Sequence, residues 1–198
     1  TGVLMMQLVD QGLIDLDDPV SKYLNEFEGN NKLTIRNLFT HTSGLQFAGE
    51  WASDWNVSLE NQVAHILPLV DVGKSYSYHR VGYALAGKII ERLTGKAVPY
   101  LFQEYIFSPL GMSSAYSDNT YGGLYCSSID LAKFGQMLLN KGTYNGFKLF
   151  LQQTFEKMLP MKLMVGDREW GIGTSRMSGK GLSESALGHG AASGTTFI

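Results

Sequence analysis

The chain has a single cysteine, Cys126, so no disulfide can close within it. That excludes a disulfide-stapled scaffold but not a compartment, since cytosolic proteins and disulfide-free periplasmic proteins both fit. Charge is scarce as well. Charged residues make up 17% of 198 residues and the formal net charge is -2. Lys and Arg are scattered, with no basic stripe for nucleic acid to follow. No apolar run reaches the length of a membrane span. No pair of His, Cys or acidic residues has metal-ligand spacing, and nothing calls for a cofactor. No repeat and no low-complexity tract is visible. No leader is visible either, and the first residue is Thr1 rather than Met, which fits a processed or cut start.

What is present supports a globular domain. Hydrophobic residues form 44% of the chain, enough to bury a core as one large unit or two small ones. Apolar periodicity predicts a first helix running to Gly12, already in mid-pattern at Thr1. Asp17-Asp18-Pro19 opens a short helix, and Thr34 caps another through Phe39. Ser58 caps a segment to about Leu67. A strong amphipathic helix covers Val81 to Thr94, closed by Gly95, and a further one reaches about Ile106. Ser128 caps a helix through Leu139, and Gln152 to Met158 is helical. After Trp170 glycine becomes frequent and short strands are expected. Thr195 to Ile198 reads as a trailing strand, whose partner strands are expected outside this sequence.

Two segments carry chemistry. Tyr78-His79-Arg80-Val81-Gly82-Tyr83 puts a tyrosine just ahead of a helix, and Leu187-Gly188-His189-Gly190-Ala191 puts a histidine in a Gly-rich run. A phenol can shuttle a proton, and small residues let a substrate approach backbone N–H groups that hold an oxyanion. A plain alternative stands beside each. Tyr78 could anchor a helix start with its hydroxyl bonded to backbone, and His189 could be a loop residue. His41 and Ser43 are too close on one turn to face each other productively. His65 and His79 are expected at the surface.

The chain resembles the serine β-lactamase and penicillin-binding superfamily, in the branch of class C β-lactamases, D-alanyl-D-alanine carboxypeptidases and family VIII esterases. Four segments carry the resemblance: Gln7 to Val20, Leu33 to Leu45 with its His41-Thr42-Ser43-Gly44 string, Tyr78 to Gly95 followed by Pro109-Leu110-Gly111-Met112, and Gly123-Leu124 with Ser128 to Phe134. It implies an α/β (α+β) β-lactamase/transpeptidase-like fold: a helix-rich body with an antiparallel sheet starting at the C-terminal end. Residues 1–198 would be part of one such domain, with 1–169 mostly helical and 170–198 the start of the sheet. It also implies a serine hydrolase acting through an acyl-serine on an ester, a D-amino-acid peptide or a β-lactam. A scaffold or binding domain that kept the fold without catalysis is the alternative.

The resemblance assigns residues by motif. Tyr78 takes the catalytic tyrosine position, with Tyr76 its competitor, and Arg80 stands where asparagine is usual. Arginine only donates and carries a fixed charge. It either approaches the substrate site, favouring the Tyr78 phenolate, or points to solvent. His189 takes the lysine position of the third motif, Gly190 follows, and Ala191 replaces a glycine. The backbone N–H of Ala192 would be the oxyanion donor. The nucleophile motif S-x-x-K is absent: no serine in the chain has a lysine three positions later. By resemblance it lies ahead of Thr1, the serine about six residues before it and the lysine about three. The implied partners are a small-molecule or peptide substrate and the remaining N- and C-terminal segments of the same domain. A periplasmic or extracellular setting is favoured by the resemblance, and a cytoplasmic one fits the composition.

Overall fold

The computed structural model describes residues 1–45, 59–65, 72–191 and 194–198. Helix α1 (Gly2–Asp10) turns Val3, Leu4, Met5, Met6 and Leu8 into the core. It ends in a Schellman turn: Gly12 N–H donates to the Val9 carbonyl and Leu13 N–H to that of Leu8, with Gly12 at φ 71°. Helix α2 (Ile35–Phe39) starts from a capping box. Thr34 Oγ1 accepts from Asn37 N–H, and the Asn37 side chain accepts from Thr34 N–H. Ser58 lies outside the described residues; α3 (Leu59–His65) follows it. Helix α4 (Val81–Thr94) spans the predicted residues and stops at Gly95, φ 67°. Helix α5 (Val98–Phe102) continues as a π-helical turn over Gln103–Phe107.

Two hairpins interrupt the helices, β1 (Tyr116–Ser117) with β2 (Leu124–Tyr125) and β3 (Thr143–Tyr144) with β4 (Phe147–Lys148). Helix α6 (Ser128–Leu139) lies between them. Its cap is Ser127 rather than the expected Ser128, because the Ser127 hydroxyl reaches Asp130 N–H. Helix α7 (Gln152–Met158) precedes the sheet.

That sheet corrects one expectation. The trailing strand finds its partners inside this chain, in an antiparallel meander ordered β5 (Met161–Lys162), β6 (Glu169–Trp170), β7 (Ser175–Arg176), β8 (Leu187–Gly190) and β9 (Thr196–Phe197). Strands of two residues are too short to show a period, which is why patterning placed short strands after Trp170 without their bounds and missed β5.

Close backbone contacts join helices and sheet. A Cβ on Gly82 would lie 2.2 Å from the Leu38 carbonyl oxygen, so only glycine lets α4 press its first turn onto α2. The Phe197 ring of β9 packs 6.1 Å from Phe134 of α6, pinning the sheet edge to the body. Among the described residues no helix is long and apolar enough to cross a membrane. This arrangement brings the loop ahead of α4 to the face of β6 and β8.

Candidate active site

Tyr78 and His189 meet. The Tyr78 hydroxyl lies 3.3 Å from His189 Nε2, and the two rings are 6.1 Å apart. Tyr78 is 58% exposed, yet its ring packs at 4.4 Å on His41 and at 5.7 Å on Trp170. That partial burial raises the Tyr78 pKa above its ordinary value, so the resting side chain is a neutral phenol. Burial sets the direction of that shift. Arg80 sits at the N-cap of α4 with its guanidinium 5.8 Å from the Tyr121 ring.

His189 is half-buried on β8, and burial lowers its pKa, which favours the neutral imidazole. Gly188 is forced by packing: a Cβ there would lie 2.1 Å from the Phe197 carbonyl oxygen across the β8–β9 ladder. Gly190 has open space where a Cβ would stand, so no described residue demands glycine there on steric grounds. The hairpin beyond it closes through Ala191 N–H to Thr195 O at 2.8 Å. Ala192, the expected oxyanion donor, lies outside the described residues. A cavity of about 270 Å³ opens beside His189, walled by Tyr83, Phe134, Leu138, Ile172 and Phe197. Its lining is mostly apolar, as small-molecule sites usually are.

Sequence reasoning missed the aromatic box under Tyr78. His41 is at its centre, 5% exposed, with ring centroids of Trp170 at 4.9 Å, Tyr83 at 5.4 Å and Tyr76 at 5.9 Å. Tyrosines at 76, 78 and 83 around one glycine were a local sign of it; Trp170 had none, because it arrives from β6. Burial holds the His41 pKa at about 4. His79, expected at the surface, is half-buried and bonded: its N–H donates to His41 Nδ1 at 3.2 Å and its own Nδ1 accepts from Val81 N–H at 3.1 Å. Ser43 turns away from any pairing with His41, its hydroxyl accepting from Leu45 N–H at 3.2 Å. The side chain of His65 is outside the described residues.

The profile of the family described as Beta-lactamase matches residues 1–198. The chain belongs to the β-lactamase family. It is 34% identical over 123 residues to penicillin-binding protein 4 of Amycolatopsis lactamdurans, covering 57% of this chain and 32% of that protein. It is 32% identical over 113 residues to a teichoic acid D-alanine hydrolase of Staphylococcus aureus, covering 56% of this chain and 28% of that one. Among solved structures, a penicillin-binding protein homologue from Caulobacter crescentus superposes with a TM-score of 0.79 at 21% identity, covering 95% of this chain and 68% of the other. The chain thus spans well under two thirds of either curated relative. The structural likeness adds independent support for the fold: mixed helix and strand with an antiparallel sheet.

Proposed function

We propose that the complete protein is a serine hydrolase that works through an acyl-serine intermediate, and that residues 1–198 are part of its β-lactamase-like domain. The observation that carries this reading is the 3.3 Å approach of the Tyr78 hydroxyl to His189 Nε2 beside an apolar cavity. Tyr78, a neutral phenol at rest, relays the proton: its hydroxyl gives its own proton to the leaving group as it takes the proton of the attacking serine. His189 orients the substrate and the strand that holds the oxyanion, and by family resemblance the backbone N–H of Ala192 is the oxyanion donor. Arg80 stays over Tyr121 and tunes the rim rather than the chemistry.

Among an ester, a D-amino-acid peptide and a β-lactam, the ester is the substrate this site favours. A neutral His189 gives a substrate carboxylate no fixed positive charge to pair with, whereas an ester or amide needs none. The hydrolase in Staphylococcus aureus and the penicillin-binding relatives support acyl transfer as the chemistry. The competing reading is a non-catalytic scaffold. Residues ahead of Thr1 in the complete protein decide between them, since Ser-x-x-Lys there supports the enzyme.

The test compares p-nitrophenyl acetate with nitrocefin. The complete protein is expected to show a higher kcat/KM on the ester, and the 198-residue chain alone to turn over neither, because it holds no Ser-x-x-Lys pair. Saturable turnover by the isolated chain, lost on mutating one of its own serines, would overturn the placement of the nucleophile. A preference for nitrocefin would overturn the substrate class.

A further inference from the structure

His41 has no step of its own in the proposed mechanism, yet it brackets Tyr78, which does. Its backbone carbonyl accepts from Ser77 N–H at 2.9 Å, and its Nδ1 accepts from His79 N–H at 3.2 Å. These are the two chain neighbours of Tyr78. Between them the Tyr78 ring lies on the His41 ring at 4.4 Å. One residue therefore fixes the backbone on both sides of Tyr78.

The anchor itself is held from below. His41 stands at φ 58°, in the left-handed region, directly after α2. Its neighbours are tied down: Asn37 Nδ2 donates to Thr42 Oγ1 at 2.9 Å, the Thr40 and Thr42 hydroxyls meet at 2.9 Å, and Gly73 N–H donates to the Thr42 carbonyl at 2.8 Å. A left-handed conformation in a non-glycine residue costs of order 1 kcal/mol and persists where surrounding contacts hold it. With Nδ1 accepting, the ring proton sits on Nε2, and Nε2 is buried with no hydrogen-bond partner among the described residues. Such an orphan donor is uncommon in a purely structural position.

We propose that His41 is a positioning residue for Tyr78, acting through the acceptor Nδ1 and not through its ring: the His41–His79 hydrogen bond sets the phenol at the distance from His189 that proton transfer requires. This rests on the reading of Tyr78 as the proton-transfer group. Misplacement by about 1 Å costs on the order of 10²-fold in rate, so loosening this clamp is visible in kcat.

The experiment uses three variants of the complete protein. His41→Phe keeps an aromatic ring and loses the acceptor. His41→Asn supplies an acceptor oxygen, tolerates the left-handed backbone and loses the ring. His41→Gly fits φ 58° without strain and loses both, so it carries the test should the Phe variant not fold. Expected are a fall in kcat of roughly 10–100-fold for the Phe and Gly variants with KM within about threefold, and recovery by Asn to within about threefold of the parent. Nuclear Overhauser contacts between the Tyr78 and His189 rings, read on the complete protein, are expected to weaken in Phe and Gly and return in Asn. Folded Phe and Gly variants with unchanged kcat, where Tyr78→Phe destroys activity, would overturn the role of His41 and leave that of Tyr78 standing. A rise in KM alone, or an Asn variant as poor as Gly, would also overturn it. Full activity of Tyr78→Phe would instead remove the reading beneath it.

Discussion

Two buried polar nodes in this molecule, Asp130 and His41, are built to opposite standards. Asp130, 3% exposed near the start of α6, is saturated. It accepts from Ser114 N–H at 2.9 Å, from the Ser114 hydroxyl at 2.6 Å and from Lys133 Nζ at 2.8 Å. Ser114 Oγ in turn accepts from Ser127 N–H, so the network ties the turn after Met112 to the helix cap. These partners, Lys133 first, hold the Asp130 pKa down at about 2. His41 is 5% exposed and, among the described residues, satisfied only at Nδ1, with rings around it instead of ions. A saturated network rigidifies a fold; a buried group left partly unpaired is tolerated where geometry at a site matters more than stability.

The sharpest way to break this comparison is Tyr78→Phe in the complete protein. It removes one hydroxyl from the His41 side, and kcat is expected to fall about 10²–10⁴-fold while thermal unfolding stays unchanged. Steady-state kinetics beside a melting curve checks it; a shift in melting without loss of kcat would make the His41 side structural too.

Next comes pH. The groups facing His41 are Tyr76 and Tyr78 from its loop, His79, Tyr83 from α4 and His189 from β8, with Arg168 over the outer face of Tyr76 at 4.6 Å. The three phenols are pushed up by burial and stay uncharged at neutral pH. The folded pKa of His41, about 4, lies below the ordinary 6.5. The unfolded chain therefore takes the proton first as pH falls. Stability from the neutral ring is complete above the ordinary value and is lost as pH drops toward the folded one, by about 3 kcal/mol. For Asp130 the loss comes lower, between its ordinary 3.8 and about 2. Urea midpoints measured across pH should show these as two separate steps, and His41→Asn should shrink only the upper one, to which the buried His189 also contributes.

A smaller effect tests the saturated node. Asp130→Asn replaces an acceptor of the Lys133 ammonium with an amide and is expected to lower the melting temperature by roughly 5 °C, with kcat unchanged. Loss of kcat at retained stability would give Asp130 a role at the site. Smallest is Tyr76→Phe. Tyr76 touches His41 only ring to ring at 5.9 Å, so kcat should change by less than about twofold. A large loss would exchange the roles of Tyr76 and Tyr78.

Much of the fold was legible because helices announce themselves. The Thr34 cap, Gly95 after α4 and the period of Val81 to Thr94 mark their own boundaries by local hydrogen bonding and φ preference. The Ser127 cap fell one residue early because two adjacent serines offer the same chemistry and only geometry chooses between them. The sheet was harder to read, since β5 to β7 are pairs of residues whose extended state is fixed by neighbours in the ladder.

By itself the sequence determined which residue types stand at Tyr78 and His189, the glycines that allow close approach, and the helix ends, because those depend on residues near in the chain. Only tertiary structure decided that Arg80 lies over Tyr121, that Trp170 and His41 form the floor beneath Tyr78, and that Tyr78 and His189 stand 3.3 Å apart. Those outcomes depend on the desolvation and orientation of side chains brought together from distant segments, and no local pattern encodes them.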